Sequence, residues 1–224
     1  MLHRLDELKT DLLDRRGLPE NAPVLLASGG VDNWKMDLQR RVALLANQIG
    51  VRVVAFDVPG TGESDAPVTS DGGAQTVRRL IASARLVGDD TVAHLASSLH
   101  GRSLLGHHRS GWRARRRCRV GQPVQAAFTS GDPAHFDMAG IVDKGLGSDT
   151  LPDPVVQAAT FRTGSLRLPL DTTTNAPILV INGAGDVRVP HADTPVFEDR
   201  RDTEVHRLPP GPFARSRRPR RSFR

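Results

Sequence analysis

Tyrosine is absent from this chain of 224 residues, and aromatic residues together make up only 4% of it. Single-stranded nucleic acid is usually held by stacking its bases on aromatic rings, and this chain has few to offer. A single cysteine, Cys118, excludes an internal disulfide and is neutral about compartment. No apolar run approaches the ~20 residues that a membrane-spanning helix requires. The N-terminus lacks the apolar core of a signal peptide, so the expectation is a cytoplasmic protein without membrane contact. Apolar residues are only 38% of the total, yet the length is enough for one sizeable domain with a core of its own.

Acidic residues are missing from two stretches. Residues 109–119 carry six arginines and residues 207–224 carry seven, and neither stretch contains Asp or Glu. Together they hold thirteen of the 31 basic residues, which leaves 18 against 25 acids elsewhere. The net charge of +6 therefore belongs to two arginine-rich inserts in an otherwise acidic globular sequence. Arginine runs can neutralise phosphates. These lack interleaved aromatics and sit on no recognisable binding module, which disfavours nucleic acid as a partner.

What is present is organised around residues 24–64. Val24, Leu25, Leu26 and Ala27 form a short continuous apolar run, the mark of a strand buried on both faces. Gly29 and Gly30 stop it at a sharp turn. Between Trp34 and Ile49, the positions Met36, Leu38, Val42, Leu45, Ala46 and Ile49 recur at helical spacing, with Asp37, Arg40 and Arg41 left for solvent. Gly50 ends that helix, and Val51, Val53, Val54, Ala55 and Phe56 make the next buried strand. A β-α-β unit of this kind predicts a parallel sheet with helices on its faces.

The turns that end these two strands carry a resemblance. Ser28-Gly29-Gly30-Val31-Asp32 after the first, and Asp57-Val58-Pro59-Gly60-Thr61-Gly62-Glu63-Ser64 after the second, resemble an α/β-hydrolase, and within that superfamily the FrsA-like esterases. The resemblance implies an α/β fold: a mostly parallel sheet with helices on both faces, incomplete at its C-terminal end. It implies that the turn at Gly29 and Gly30 supplies backbone N–H groups to an oxyanion hole. The Asp-x-Pro-Gly-x-Gly-x-Ser turn is implied to be structural. Three segments are expected: a helix within residues 1–20, the remnant of a longer helical region; a hydrolase core over 21–208 with an excursion at 137–172; and an arginine-rich tail at 209–224.

In order along the chain, Leu2, Leu5, Leu8, Leu12 and Leu13 predict an amphipathic helix over residues 2–16. After a polar loop at 65–73, helical material is expected to about Leu99 with a break near Gly88, and 102–106 (RSLLG) reads as the next strand. The nucleophile elbow G-x-S-x-G of such a fold belongs after that strand. The chain there reads Gly106-His107-His108-Arg109-Ser110-Gly111-Trp112, with His108 at the serine's place and Ser110 two residues late. A helix should follow, but RARRRCRV would press guanidinium groups against a core at prohibitive cost. From Val124, VQAAFTS predicts a strand, and Gly131 to Phe136 resembles the segment after it. Kept spacing with foreign residues is the pattern that a pair of compensating reading-frame shifts in GC-rich DNA leaves.

PILVIN, residues 177–182, predicts a buried strand that runs into Gly183-Ala184-Gly185-Asp186-Val187-Arg188-Val189-Pro190. This resembles the turn whose aspartate orients a catalytic histidine, and Asp186 is the match. TEVHRL, residues 203–208, is the last strand. Phe213 stands where the resemblance would place the histidine, and His206 is expected to point into the sheet's packing.

His107, His108 and Cys118 suggest a metal, but no second ligand pair has zinc spacing. Gly60-x-Gly62 and Gly183-x-Gly185 lack the third glycine of a dinucleotide fingerprint. His135 and His191 read as loop or surface residues. The site expected is thus Ser110 and Asp186 as catalytic residues with Gly29 and Gly30 as oxyanion turn, no cofactor and no metal. The partner is a small-molecule acyl substrate, and the reaction is acyl transfer to water. The alternative is a catalytically inactive protein of the same fold whose basic tail binds nucleic acid or another polyanion.

Overall fold

In a computed structural model, residues 2–5, 10–13, 17–30, 34–66, 72–88, 92–97, 114–120, 125–129, 153–162, 177–184, 186 and 189–209 are described. They build an eight-stranded sheet ordered β1-β2-β4-β3-β5-β6-β7-β8. Its strands are β1 (Leu2–Leu5), β2 (Thr10–Leu13), β3 (Val24–Ser28), β4 (Arg52–Phe56), β5 (Val92–Ser97), β6 (Ala114–Val120), β7 (Ile178–Gly183) and β8 (Thr203–Leu208). From β4 to β8 all neighbours are parallel, while β1 and β2 add an antiparallel edge beside β4. The described helices are α1 (Lys35–Ile49), α2 (Gly72–Val87), α3 (Ala126–Thr129) and α4 (Pro154–Arg162).

The β-α-β unit stands as expected. Helix α1 starts where Asp37 accepts the Trp34 N–H at 2.9 Å, and ends at Gly50, whose φ of 68° suits a left-handed cap. Leu38, Val42 and Ala46 bury against Ala27 and Val53 on one face of the sheet. On the other face, Val77, Leu80, Ile81 and Ala84 of α2 pack on Val24, Leu26, Val54, Phe56 and Val92. Neighbouring residues such as Leu26 and Ala27 feed opposite layers because side chains alternate along a strand. Helices therefore cover both faces, and strands buried on both sides read as unbroken apolar runs. Met36 and Ile49, expected on the buried side of α1, are instead exposed at 59% and 61%.

Four expectations give way. Residues 2–5 and 10–13 form a β-hairpin in register Leu2↔Leu13 and not a helix, because Leu12 gains more from pairing with Val54 at the sheet than a lone leucine face would from solvent. Helical structure ends at Val87 rather than near Leu99, and Val92–Ser97 is a strand that pairs with β3. At Gly88 a Cβ would come within 2.5 Å of the Ala22 carbonyl oxygen, so the chain passes β3 closely there. ARRRCRV is the strand β6 between β5 and β7, not a helix. Within VQAAFTS, Ala126–Thr129 is a short helix. The expected strand at 102–106 and the elbow segment around Ser110 lie outside the described residues, as does most of the arginine-rich tail. No described helix is long and apolar enough to cross a membrane.

Candidate active site

The parallel strands all point the same way, so their carboxyl ends share one edge of the sheet, the place where open α/β sheets bind ligands. Gly29 and Gly30 follow β3 at that edge, and both are buried. Asp57 to Ser64 follow β4, the strand beside β3. Asp186 follows β7. Three strand spacings separate β3 from β7, about 14 Å at ~4.8 Å each. The glycine turn and Asp186 are thus brought to one edge, three strands apart.

The two turns beside each other are bound by one cluster. Lys35, the first residue of α1, is only 1% exposed despite its charge. Its Nζ lies 2.7 Å from Glu63 Oε2 and 3.9 Å from Asp57 Oδ2. Its backbone N–H donates to Asp57 Oδ1 at 2.7 Å, and the Glu63 N–H donates to Asp57 Oδ2 at 3.0 Å. Gly62 has φ 52°, and a Cβ there would come within 2.3 Å of Asp57 Oδ2. Glycine is required on both counts. Thr61 Oγ1 closes the turn by donating to the Val58 carbonyl at 2.8 Å. The structural part expected for this turn is visible in these bonds.

Behind the oxyanion turn, Ser28 Oγ and His94 Nε2 lie 3.1 Å apart, and both residues are buried. The His94 ring also meets Phe56, with centroids 5.6 Å apart. This polar pair ties the end of β3 to the middle of β5. Sequence reading passed over it, since His94 falls in a segment read as helix. Two residues apart in a hydrogen-bonded pair across strands have no sequence signal beyond a polar residue in each apolar run.

Asp186 is exposed. It accepts the Val189 N–H at 3.2 Å, while its own N–H donates to the Gly183 carbonyl at 3.1 Å. The end of β7 is anchored by Asn182, which donates to Thr194 Oγ1 at 2.9 Å. Next to Thr194, the carboxylate of Asp193 is buried and accepts the N–H groups of Gln125 and Ala126 at 2.9 and 2.7 Å. His206 does not face the packing: its side chain is half exposed and sits 2.6 Å from Glu204 Oε1. His191 is exposed beside Arg207. Ser110, His135 and Phe213 lie outside the described residues. Among the described residues no group of three His, Cys, Asp or Glu is placed to hold a metal ion.

Ser98, next in sequence after β5, lies outside the described residues. Ser28 pairs with Ala96, so β3 and β5 end side by side. The sequence there is Ala96-Ser97-Ser98-Leu99-His100-Gly101. Its small-x-Ser-x-x-Gly pattern was legible, but only once the strand was known to end at Ser97.

No family model and no curated protein matches the chain. Solved structures do. AbyA5 superposes on 93% of the chain with a TM-score of 0.72 at 21% identity, and a 2,6-dihydroxy-pseudo-oxynicotine hydrolase on 89% with 0.65 at 17%. The chain spans 59% and 56% of those two proteins. MGS-M2, an α/β-hydrolase enzyme from a deep-sea metagenome library of the Medee basin, matches over 93% of this chain and 89% of its own, with a TM-score of 0.61 at 12% identity. The fold is that of the α/β-hydrolases. In this fold, Gly29 and Gly30 follow one strand at the carboxyl edge of the sheet and Asp186 follows another, on the two sides of β5 and β6.

Proposed function

We propose that this chain has the layout of a serine esterase of the FrsA-like kind, acting on an ester or related acyl compound with water as acceptor. The observation that carries the reading is the register Ser28↔Ala96. It brings the ends of β3 and β5 into register, one strand spacing, about 4.8 Å, apart. Acyl transfer needs that neighbourhood, because the N–H groups must face the oxygen of a carbonyl being attacked by the next strand's nucleophile. Ser98 follows β5 directly and is our first candidate, with Ser110 the other. Asp186 would orient the base. His94, His191 and His206 have Ser28, Arg207 and Glu204 as partners.

Hydrolysis of p-nitrophenyl acetate by purified protein of this sequence tests the reading. Turnover that is lost in Asp186→Asn and in either Ser98→Ala or Ser110→Ala supports it and names the nucleophile. No turnover in the intact chain overturns it. The non-catalytic alternative, in which the basic tail at 209–224 takes a polyanion, would then require retention on a polyanion column at low salt that falls steeply as salt rises.

A further inference from the structure

We infer that Lys35 is a positioning residue for the oxyanion turn, acting through Asp57 and Glu63; this rests on the hydrolase reading above. A lysine at the first residue of a helix is electrostatically misplaced, since the N-terminal end of a helix carries partial positive charge. Burying its ammonium adds a desolvation cost that only good pairing offsets. An apolar side chain would fill the same space with neither penalty. The chain nevertheless buries Lys35 to 1% exposure and surrounds it with two carboxylates.

The arrangement makes sense as a clamp. The glycine turn enters from Ser28, which is fixed by pairing with Phe56 and Ala96 and by the hydrogen bond to His94. It leaves at Lys35, which is held twice: by its backbone N–H on Asp57 and by its ammonium on Glu63. Asp57 itself is aimed by the Glu63 N–H and by Gly62, whose missing Cβ leaves the carboxylate its space. Both ends of the turn are therefore set by β4 and the segment after it. Oxyanion donors act only when held in place before the charge develops, so loosening one end should weaken transition-state binding and leave ground-state binding alone.

The test compares Lys35→Met and Glu63→Gln with the intact chain. Glu63 is 55% exposed at its side chain, so its variant keeps the test open if Lys35→Met fails to fold. Three readouts are taken: kcat and KM for p-nitrophenyl acetate, inhibition by a trifluoromethyl ketone that forms an oxyanion adduct, and amide hydrogen exchange of Gly29, Gly30 and Lys35. We expect kcat to fall about 10- to 100-fold in Lys35→Met, less than or equal to the loss of one oxyanion donor. KM should stay within about twofold, and the ketone's inhibition constant should rise with the same factor as kcat falls. Glu63→Gln should move all three in the same direction by less. Exchange at the three amides should quicken while Val24–Ser28 amides stay protected. A folded Lys35→Met with unchanged kcat, or a loss carried by KM alone, overturns the inference. If the intact chain neither turns over ester nor binds the ketone, the hydrolase reading fails instead. Exchange then decides alone: quickened amides support the clamp, and unchanged ones overturn it.

Discussion

The carboxyl ends of β3 and β4 and the carboxyl end of β7 lie on the same edge of one sheet, yet they are held in different ways. At β3 and β4 the bonds join different elements: buried Lys35 at the start of α1 to Asp57 and Glu63 after β4, and Ser28 of β3 to His94 of β5. Beneath them lies a broad core around Leu26, Val54, Phe56 and Leu80. At β7, Asp186 accepts the Val189 N–H and donates its own N–H to the Gly183 carbonyl, and the cluster beneath consists of Ile178, Val180 and Phe197 with Val196 and Val205 against it. Where function and packing share the same residues, a substitution should damage both. Where the functional group hangs from a locally closed turn, the two should come apart.

The largest effect expected is in the core itself. Phe56 and Phe197 are both buried, at 2% and 0% exposure. Phe56→Ala should cost about 3–5 kcal/mol, because its neighbours on β3, β5 and α2 are fixed by the sheet and cannot close the cavity. Phe197→Ala should fall near the lower end, about 3 kcal/mol, since it lies in a 3₁₀ turn (Pro195–Phe197) against a small cluster that can relax. Urea unfolding of the two variants gives the comparison directly. A Phe197→Ala penalty larger than that of Phe56→Ala would mean that the β7 side is the more rigid of the two.

Next comes Gly62→Ala. The left-handed backbone alone costs an alanine about 1–2 kcal/mol. The new methyl would also displace the Asp57 carboxylate from beneath Lys35. Stability and kcat should therefore fall together, by a midpoint shift in urea and by a loss of ester turnover. A Gly62→Ala variant of unchanged midpoint would show that Asp57 can move without cost, and the clamp at this end would lose its basis.

The same contrast explains what the sequence revealed. Residues 24–56 were legible because every device acts locally: apolar runs for strands buried on two faces, helical spacing in α1, and Gly50 to end it. Strand β7 and strand β8 were legible for the same reason. Strand β5 was not, because His94 breaks its apolar run and finds its partner Ser28 only across the sheet. The short helix Ala126–Thr129 hid behind strand-like residues, and the group that caps its start is Asp193, far along the chain. The N-terminal hairpin hid behind leucines whose spacing suits a helix, and it exists because β4 offers an edge to pair with. In ARRRCRV no residue pattern marks a strand, and its place is defined by backbone pairing with β5 and β7. Each miss is a case of distant partners overriding local preference.

Asp186→Asn should give the smallest change in stability and the greatest split between stability and activity. The side chain is exposed, and the Val189 N–H needs only an acceptor oxygen, which the amide retains. Unfolding should shift by no more than ~0.5 kcal/mol, as for an ordinary surface position. For catalysis the amide is no substitute, because it favours the wrong tautomer of the histidine it orients, and kcat/KM should drop by about 10⁴-fold where the esterase reading holds. Urea midpoints and ester turnover, measured on one preparation, check both halves. A midpoint shift as large as that of Gly62→Ala would show the β7 end to be clamped like β3 and β4. Preserved stability with lost turnover would place the acid on a turn free to serve chemistry, while the turns after β3 and β4 are fixed by the same bonds that hold the sheet together.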